Sequence, residues 1–267
     1  MYKKILIICG MPRSGTSWLG QIFDSSPDVA FRMEPLFAYR FKNIINDRSS
    51  KKDVLNFFEK VYFSDDDFIN QKENRINGIY PSVLKSNKSK FLVVKTTRHH
   101  CLLERYLELI DNVEIISIIR NPCAVINSWI NTDREFKKKG CIEEIDWKNG
   151  NCRKDSEGEF WGFDDWLSVT KKHLMFNEKY SNFNIVKYTD LVNKTEETVR
   201  NLFKRVGVPY SDQTVNFLRD CHGRHDDNPY SIYKSPDVEN KWKKELSIEI
   251  SEQIINETRR EGLGEFI

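Results

Sequence analysis

The sequence predicts an α/β fold, a single domain with a central, mainly parallel sheet flanked by helices. Three observations carry this reading. Four short β-branched runs, ILIIC (5–9), FLVV (91–94), EIISII (114–119) and NIVKY (184–188), are almost continuously apolar. Strands covered on both faces require that pattern. Segments of helical spacing lie between and after them. A chain of 267 residues also suits one large domain with ample core better than two small ones, so the domain is expected to span residues 1–267.

The elements follow in order. ILIIC runs into the loop GMPRSGTS (10–17) and then into TSWLGQIF, which reads as strand, glycine-bounded turn and helix. AVINSWI follows the third strand as a helix, and DDWLSVTKKHLMFNEKY precedes the fourth. KTEETVRNLFKRVGVP opens on candidate capping residues and stops at Gly207 and Pro209, a helix-end signal. The final stretch SIEISEQIINETRREGLGEF reads as a terminal helix. Residues 28–90 and 132–163 look less regular. In open α/β sheets ligands bind at the carboxyl ends of the strands, so these insertions are placed to wall a cleft there. Surface decoration is the plain alternative.

Bulk properties remove several functions. Hydrophobic residues at 39% and charged residues at 31% describe an ordinary globular protein. A net charge of +2 gives no reason to expect nucleic acid or a membrane surface as partner. The N-terminal apolar segment is too short for a signal peptide and runs into Pro12 and Arg13 without a cleavage site. No stretch approaches the ~20 apolar residues of a membrane span. The chain therefore reads as cytoplasmic, or as a soluble domain cut from something longer. Among the six cysteines, Cys9 and Cys123 are expected as small core groups. Cys141 and Cys152 would pair only in an oxidising compartment; without a secretion signal they are read as thiols. CHGRH brings Cys221, His222 and His225 together, but a second ligand cluster is missing, so a polar loop is expected rather than a zinc site.

The loop GMPRSGTS carries the chemistry. It is P-loop-like: the amides of residues 14–17 would converge on an anion at a helix N-terminus, where the dipole favours negative charge. Gly15 permits the turn, Ser14, Thr16 and Ser17 add hydroxyl donors, and Arg13 supplies a planar fork. The usual triphosphate loop, G-x-x-x-x-G-K-[ST], has a lysine where this chain has Thr16. EIISII ends in Arg120 rather than in an acid that would hold Mg²⁺. Cations at both strand ends suit an anion carried without a metal, so no metal ligand set is expected. A small-molecule kinase with a degenerate loop is the runner-up, and a non-catalytic nucleotide-binding module is a third reading.

Several blocks in order resemble the sulfotransferases that use 3′-phosphoadenosine 5′-phosphosulfate (PAPS). PRSGTSWL resembles their 5′-phosphosulfate loop, which nominates Arg13 to Trp18 for the donor. IIRNPCAVINSW resembles their 3′-phosphate motif and nominates Arg120 and Ser128, the latter about two helical turns in. VKYTDLV is similar to the family's Y-x-D-L strand end, placing Tyr188 near the nucleotide. LFKRVGVP resembles the helix that follows, and ENKWKKELS resembles a late segment that closes over the nucleotide, nominating Lys241. The resemblance implies the sulfotransferase fold and PAPS as donor substrate.

Within that superfamily GQIFDSSPDVAFRMEPLF looks most similar to Golgi carbohydrate 6-O-sulfotransferases, with tyrosylprotein sulfotransferases a weaker match. Lacking a membrane anchor, the chain suggests a bacterial relative acting on a glycan, a lipid-linked sugar or a small alcohol. The resemblance implies Glu34 as base for the acceptor hydroxyl; Lys95, at the end of FLVVK, is placed in sequence to reach the transferred group from a neighbouring strand. A salt bridge from Glu34 to Arg32, and a lysine merely leaving a strand end, are the plain alternatives. His99 or His100 competes for the base. Cytosolic sulfotransferases place that histidine two residues after the lysine, and here the position is Thr97. Trp147, Trp161 and Trp166 are read as core rather than as a sugar platform.

Overall fold

The computed structural model describes residues 2–156, 158–223, 226, 231–233 and 236–267. Its order begins β1 (Lys4–Cys9), α1 (Thr16–Asp24), β2 (Val29–Met33), α2 (Lys51–Tyr62), α3 (Lys72–Ile76) and β3 (Phe91–Lys95). There follow α4 (Leu103–Leu109), β4 (Val113–Ile119), α5 (Pro122–Ile130), α6 (Glu143–Asn149), α7 (Phe163–Lys179) and β5 (Phe183–Lys187). The chain ends with α8 (Tyr188–Asn193), α9 (Thr195–Val206), α10 (Asp212–Gly223), α11 (Trp242–Glu245) and α12 (Ile248–Arg260).

The five strands form one sheet in the order β2-β3-β1-β4-β5, and every pairing is parallel. Successive strand residues point to opposite faces. Leu6 and Ile8 of β1 join a core with α1, α8 and α9, while Ile5, Ile7 and Cys9 join a second core with α2 and α4. All five are at most 1% exposed, which is why the strand reads as an unbroken apolar run. A third core packs α5, α7 and α12 with the 132–163 excursion.

The sequence reading misses β2, which lies inside the stretch taken as irregular. VAFRM alternates buried and half-buried residues because it is an edge strand, and Arg32 within it looks unlike a strand residue. Its guanidinium donates to the carbonyls of Phe31, Val61 and Tyr62, so the charge is held mainly by carbonyls at the C-terminus of α2. β5 begins one residue earlier than expected, and Tyr188 opens α8. No side chain caps α9 at Lys194, against expectation, although Gly207 closes it at φ 82°. Ser247 caps α12 through Ile250 N.

The largest correction concerns Cys141 and Cys152, which are joined by a disulfide. They flank α6 at a Cα separation of 5.4 Å, within bridging range. Redox compartment alone had argued for thiols; chain proximity was invisible to that argument. Trp147, Trp161 and Trp166 are 5%, 4% and 1% exposed, as core residues should be. Cys221 is buried, while His225 and the His222 side chain lie outside the described residues. No helix of the described residues is long and apolar enough to cross a membrane.

Candidate active site

A cleft of about 1070 Å³ opens among the loops that follow the strands. It borders the seam between β1 and β4, where connections diverge to opposite sides of the sheet, the crevice in which such sheets hold ligands. Of the residues nominated from sequence, Arg13, Gly15, Thr16, Ser17 and Trp18 line it. So do Arg120, Ser128, Tyr188 and Lys241, and so do Glu34 and Lys95. Ser14 alone does not; it is fully buried beneath the loop.

The loop after β1 turns through positive φ at Gly10, Arg13 and Gly15 (151°, 70° and 88°). Gly15 is also required by packing, since a Cβ there would lie 2.5 Å from the Tyr188 ring. Ser14 donates its amide back to Met11 O at 3.2 Å. Of the four amides expected to converge, those of residues 15–17 therefore remain, at the start of α1 where backbone donors lack intrahelical acceptors. Ser14 Oγ and Trp18 Nε1 are buried with no hydrogen-bond partner among the described residues, an unusual state for polar atoms in a folded protein.

The two cations of this region are tied to the fold around them. Arg13 Nε donates to Ser128 Oγ at 3.1 Å, so the two nominated phosphate ligands already touch. Arg120 is only 7% exposed and lies over the Tyr188 ring at 4.5 Å. Its Nη1 donates to Arg13 O, its Nη2 to Val238 O and its Nε to Glu239 Oε2 at 2.8 Å. Burial pushes the Glu239 carboxyl up and Arg120 pulls it down, with burial prevailing. Asn127 on α5 likewise donates to Glu245 Oε2 at 2.7 Å. Two carboxylates of the 236–245 segment thus occupy donors at the place nominated for a phosphate, and Glu239 and Glu245 escaped the sequence reading.

On the other side, Glu34 follows β2 at φ 43°, a conformation non-glycine residues avoid except where surroundings enforce it. The enforcement is visible. Glu34 Oε1 accepts from Lys95 Nζ (2.9 Å), Thr97 N (2.8 Å) and Thr97 Oγ1 (2.7 Å), and Oε2 accepts from Thr96 Oγ1 (3.1 Å). Arg98 stands 3.7 Å from Oε1. The carboxylate is 5% exposed. Burial alone would raise its pKa; Lys95, Arg98 and the Thr97 hydroxyl outweigh that and hold it at about 2. The alternative partner Arg32 is not bonded to it.

Neither histidine joins this group. His100 is 1% exposed and lies in a buried chain in which its Nδ1 is 3.2 Å from His173 Nε2 and His173 Nδ1 is 2.7 Å from Ser117 Oγ. Burial pushes His100 down to about 4. His99 lines a separate small pocket with Pro35 and Tyr106. The position two residues beyond Lys95, where a histidine was sought, holds Thr97, which anchors Glu34.

Sequence reasoning also missed Arg98, Arg153 and Glu159. Glu159, 7% exposed, accepts from Arg98 Nε at 3.2 Å and Arg153 Nη1 at 3.2 Å, and both arginines line the cleft. Arg153 and Glu159 lie in the excursion that showed no periodicity, so no local signal pointed to them. Among the described residues one grouping of three metal-type ligands occurs, Cys141, Asp146 and Cys152, and its two sulfurs are bonded to each other.

A parallel sheet flanked by helices, with a glycine-bounded loop after its first strand and a cleft where the strands end, defines a single α/β domain. The model of the sulfotransferase family matches residues 6–212, and the chain belongs to that family. Its fold is similar to the sulfotransferase domain from the curacin biosynthetic pathway, with TM-score 0.52 and 16% identity over 96% of this chain and 97% of that one. Mouse sulfotransferase SULT7A1 complexed with PAP gives TM-score 0.55 at 13% identity over 99% and 88%. Retinol dehydratase in complex with androsterone and inactive cofactor PAP gives 0.51 at 10% identity over 98% and 81%. No curated protein matches the sequence.

Proposed function

We propose that this sulfotransferase takes its sulfuryl group from PAPS and transfers it to a hydroxyl of a carbohydrate acceptor, with Glu34 as base. One observation carries the reading: an anion-cradling loop backed by Arg13 and Ser128 opens on the same cleft as a buried Glu34–Lys95 pair. Two structural relatives were solved with PAP, which supports the same donor here. The carboxamides of Gln71, Asn74 and Asn77, with the exposed Phe37 and Phe68 rings, line the rest of the cleft and suit a hydroxylated ring with polar edges and apolar faces.

In the transfer, the acceptor oxygen bonds to sulfur while the bond from sulfur to the 5′-phosphate oxygen breaks. The electron pair leaves on 3′,5′-adenosine bisphosphate, and the acceptor proton passes to Glu34. Charge grows on the leaving oxygen, so fixed donors aimed there contribute most. Arg13, Lys95 and the amides of residues 15–17 are suited to that role. A carboxyl held at about 2 is a weak base at rest. Lys95 is the largest of the charges holding it down, so Lys95 turning toward the leaving oxygen would raise the basicity of Glu34 as the bond breaks.

Transfer of label from radiolabelled PAPS to a panel of glycans, small alcohols and tyrosine peptides tests the reading. Label on a glycan is the expected result, and label on none of them overturns it. Stabilisation by Mg-ATP exceeding that by the bisphosphate would favour a kinase instead.

A further inference from the structure

We propose that the acceptor side of the cleft contains an anion subsite, built by Arg98 and Arg153, for a carboxylate or phosphate ester carried by the acceptor itself. The inference rests on the sulfotransferase reading and deepens it by naming the acceptor's charge.

The site is built rather than incidental. Glu159 has 3% side-chain exposure and binds both guanidinium groups, together with the Asp155 amide at 2.8 Å. Arg98 lies over the Phe37 ring at 4.1 Å and Arg153 over the Trp161 ring at 5.2 Å. Two planar forks are thus held in fixed orientation, the arrangement that suits bidentate binding of planar or tetrahedral oxyanions.

Their donor capacity is not filled. Arg153 is 8% exposed, and its buried Nε has no hydrogen-bond partner among the described residues. Arg98 bonds Glu159 through Nε, and Arg153 bonds Glu159 and Asp155 through Nη1. No hydrogen bond from Nη2 of either arginine occurs among the described residues. Other carboxylates of the cleft wall, Glu73, Asp133 and Glu135, form no ion pair with either arginine there.

An alternating chain runs from Lys95 through Glu34, Arg98, Glu159 and Arg153 to Asp155 and Lys139. Four cations face three carboxylates. Arg98 stands 3.7 Å from Glu34, so an anion bound there would accompany the hydroxyl that Glu34 serves.

The test is calorimetric titration of protein saturated with 3′,5′-adenosine bisphosphate, using a uronic-acid disaccharide, its methyl ester and a hexose 6-phosphate. At least one anion is expected to bind about tenfold or more tighter than the neutral ester, and the better of the two identifies the group. Arg153→Met is expected to bring anion and ester within about twofold of each other. Should that variant unfold, Arg153→Lys, which keeps the charge but loses the fork, is expected to lose most of the preference while still binding bisphosphate. Indistinguishable anions and ester, or no binding of any sugar to bisphosphate-loaded protein, overturns the subsite alone. A protein blind to the bisphosphate overturns the donor reading and the subsite with it.

Discussion

Glu34 and Lys95 are each under a tenth exposed as side chains, so the value of one depends on the other. Removing one partner of a buried ion pair costs about 3–5 kcal/mol, because the remaining charge is stranded. Glu34→Gln is therefore expected to lower turnover about a hundredfold or more, in the range of general-base catalysis, and to lower the melting temperature. Lys95→Met added to Glu34→Gln should recover part of that stability, and a melting series of the four proteins measures it. Bisphosphate affinity should survive Glu34→Gln; its loss would make Glu34 a structural residue. The histidine chain gives an independent residue-scale prediction. His100 falls from 6.5 to about 4 on folding and His173 moves the same way. The unfolded chain then binds protons that the native one refuses, so stability is full above 6.5 and declines as pH falls toward 4. A melting temperature unchanged between pH 7 and 5, in protein whose His100 is intact, would contradict this.

At the level of elements, the segment from 236 to 245 behaves as a strap held by carboxylates. Glu239 takes Arg120, one of the two side chains nominated for the 3′-phosphate, and Glu245 holds Asn127, the neighbour of the other, so on the proposed reading nucleotide and strap would compete for Arg120. Glu239→Gln removes the competing charge and is expected to tighten 3′,5′-adenosine bisphosphate several-fold while leaving 5′-AMP nearly unchanged. Arg120→Ala should weaken the bisphosphate far more than 5′-AMP. Competition titrations with the two nucleotides check both, and equal changes for both would remove the 3′-phosphate role. The excursion at 132–163 is cross-linked by Cys141–Cys152, next in sequence to Arg153. Cys141→Ser with Cys152→Ser is expected to destabilise the protein by about 2–4 kcal/mol, the usual contribution of a native bridge, provided the excursion melts with the sheet. Chemical denaturation of the two proteins measures that difference.

On the scale of the molecule, both faces of the sheet are covered, and the cleft is cut only where strands end in loops. Ligand binding should then stabilise the whole cooperative unit. At a bisphosphate concentration about a hundred times Kd the expected gain is about 2.7 kcal/mol, or about 5–10 °C in Tm for a domain of this size. A thermal scan with bisphosphate, 5′-AMP and Mg-ATP in parallel reads it directly. The family match across residues 6–212 takes in the whole sheet except Lys4 and Ile5, the first two residues of β1.

Local signals were legible wherever backbone geometry dictates residue type. Near-continuous apolar runs announced β1, β3, β4 and β5, because most positions of these strands are buried. Gly15 marked the loop, since a side chain there would run into the Tyr188 ring, and Thr16 marked it by standing where a triphosphate loop has lysine. Hydrogen-bonded neighbours distant in sequence were not legible. β2 hid behind Arg32, whose charge is satisfied by carbonyls thirty residues away. The Cys141–Cys152 bridge, the hold of Glu239 on Arg120 and the sharing of Glu159 by two arginines each join segments without periodicity. By itself the sequence determined the parallel sheet and pointed to a minority of the residues that line the cleft, Arg13, Glu34, Lys95 and Arg120 among them. Tertiary structure alone decided their electrostatic state: which carboxylate is pinned at about 2, which arginine is already engaged and which still has donors to offer. Burial and through-space charge set those properties, and neither is written in the order of the chain.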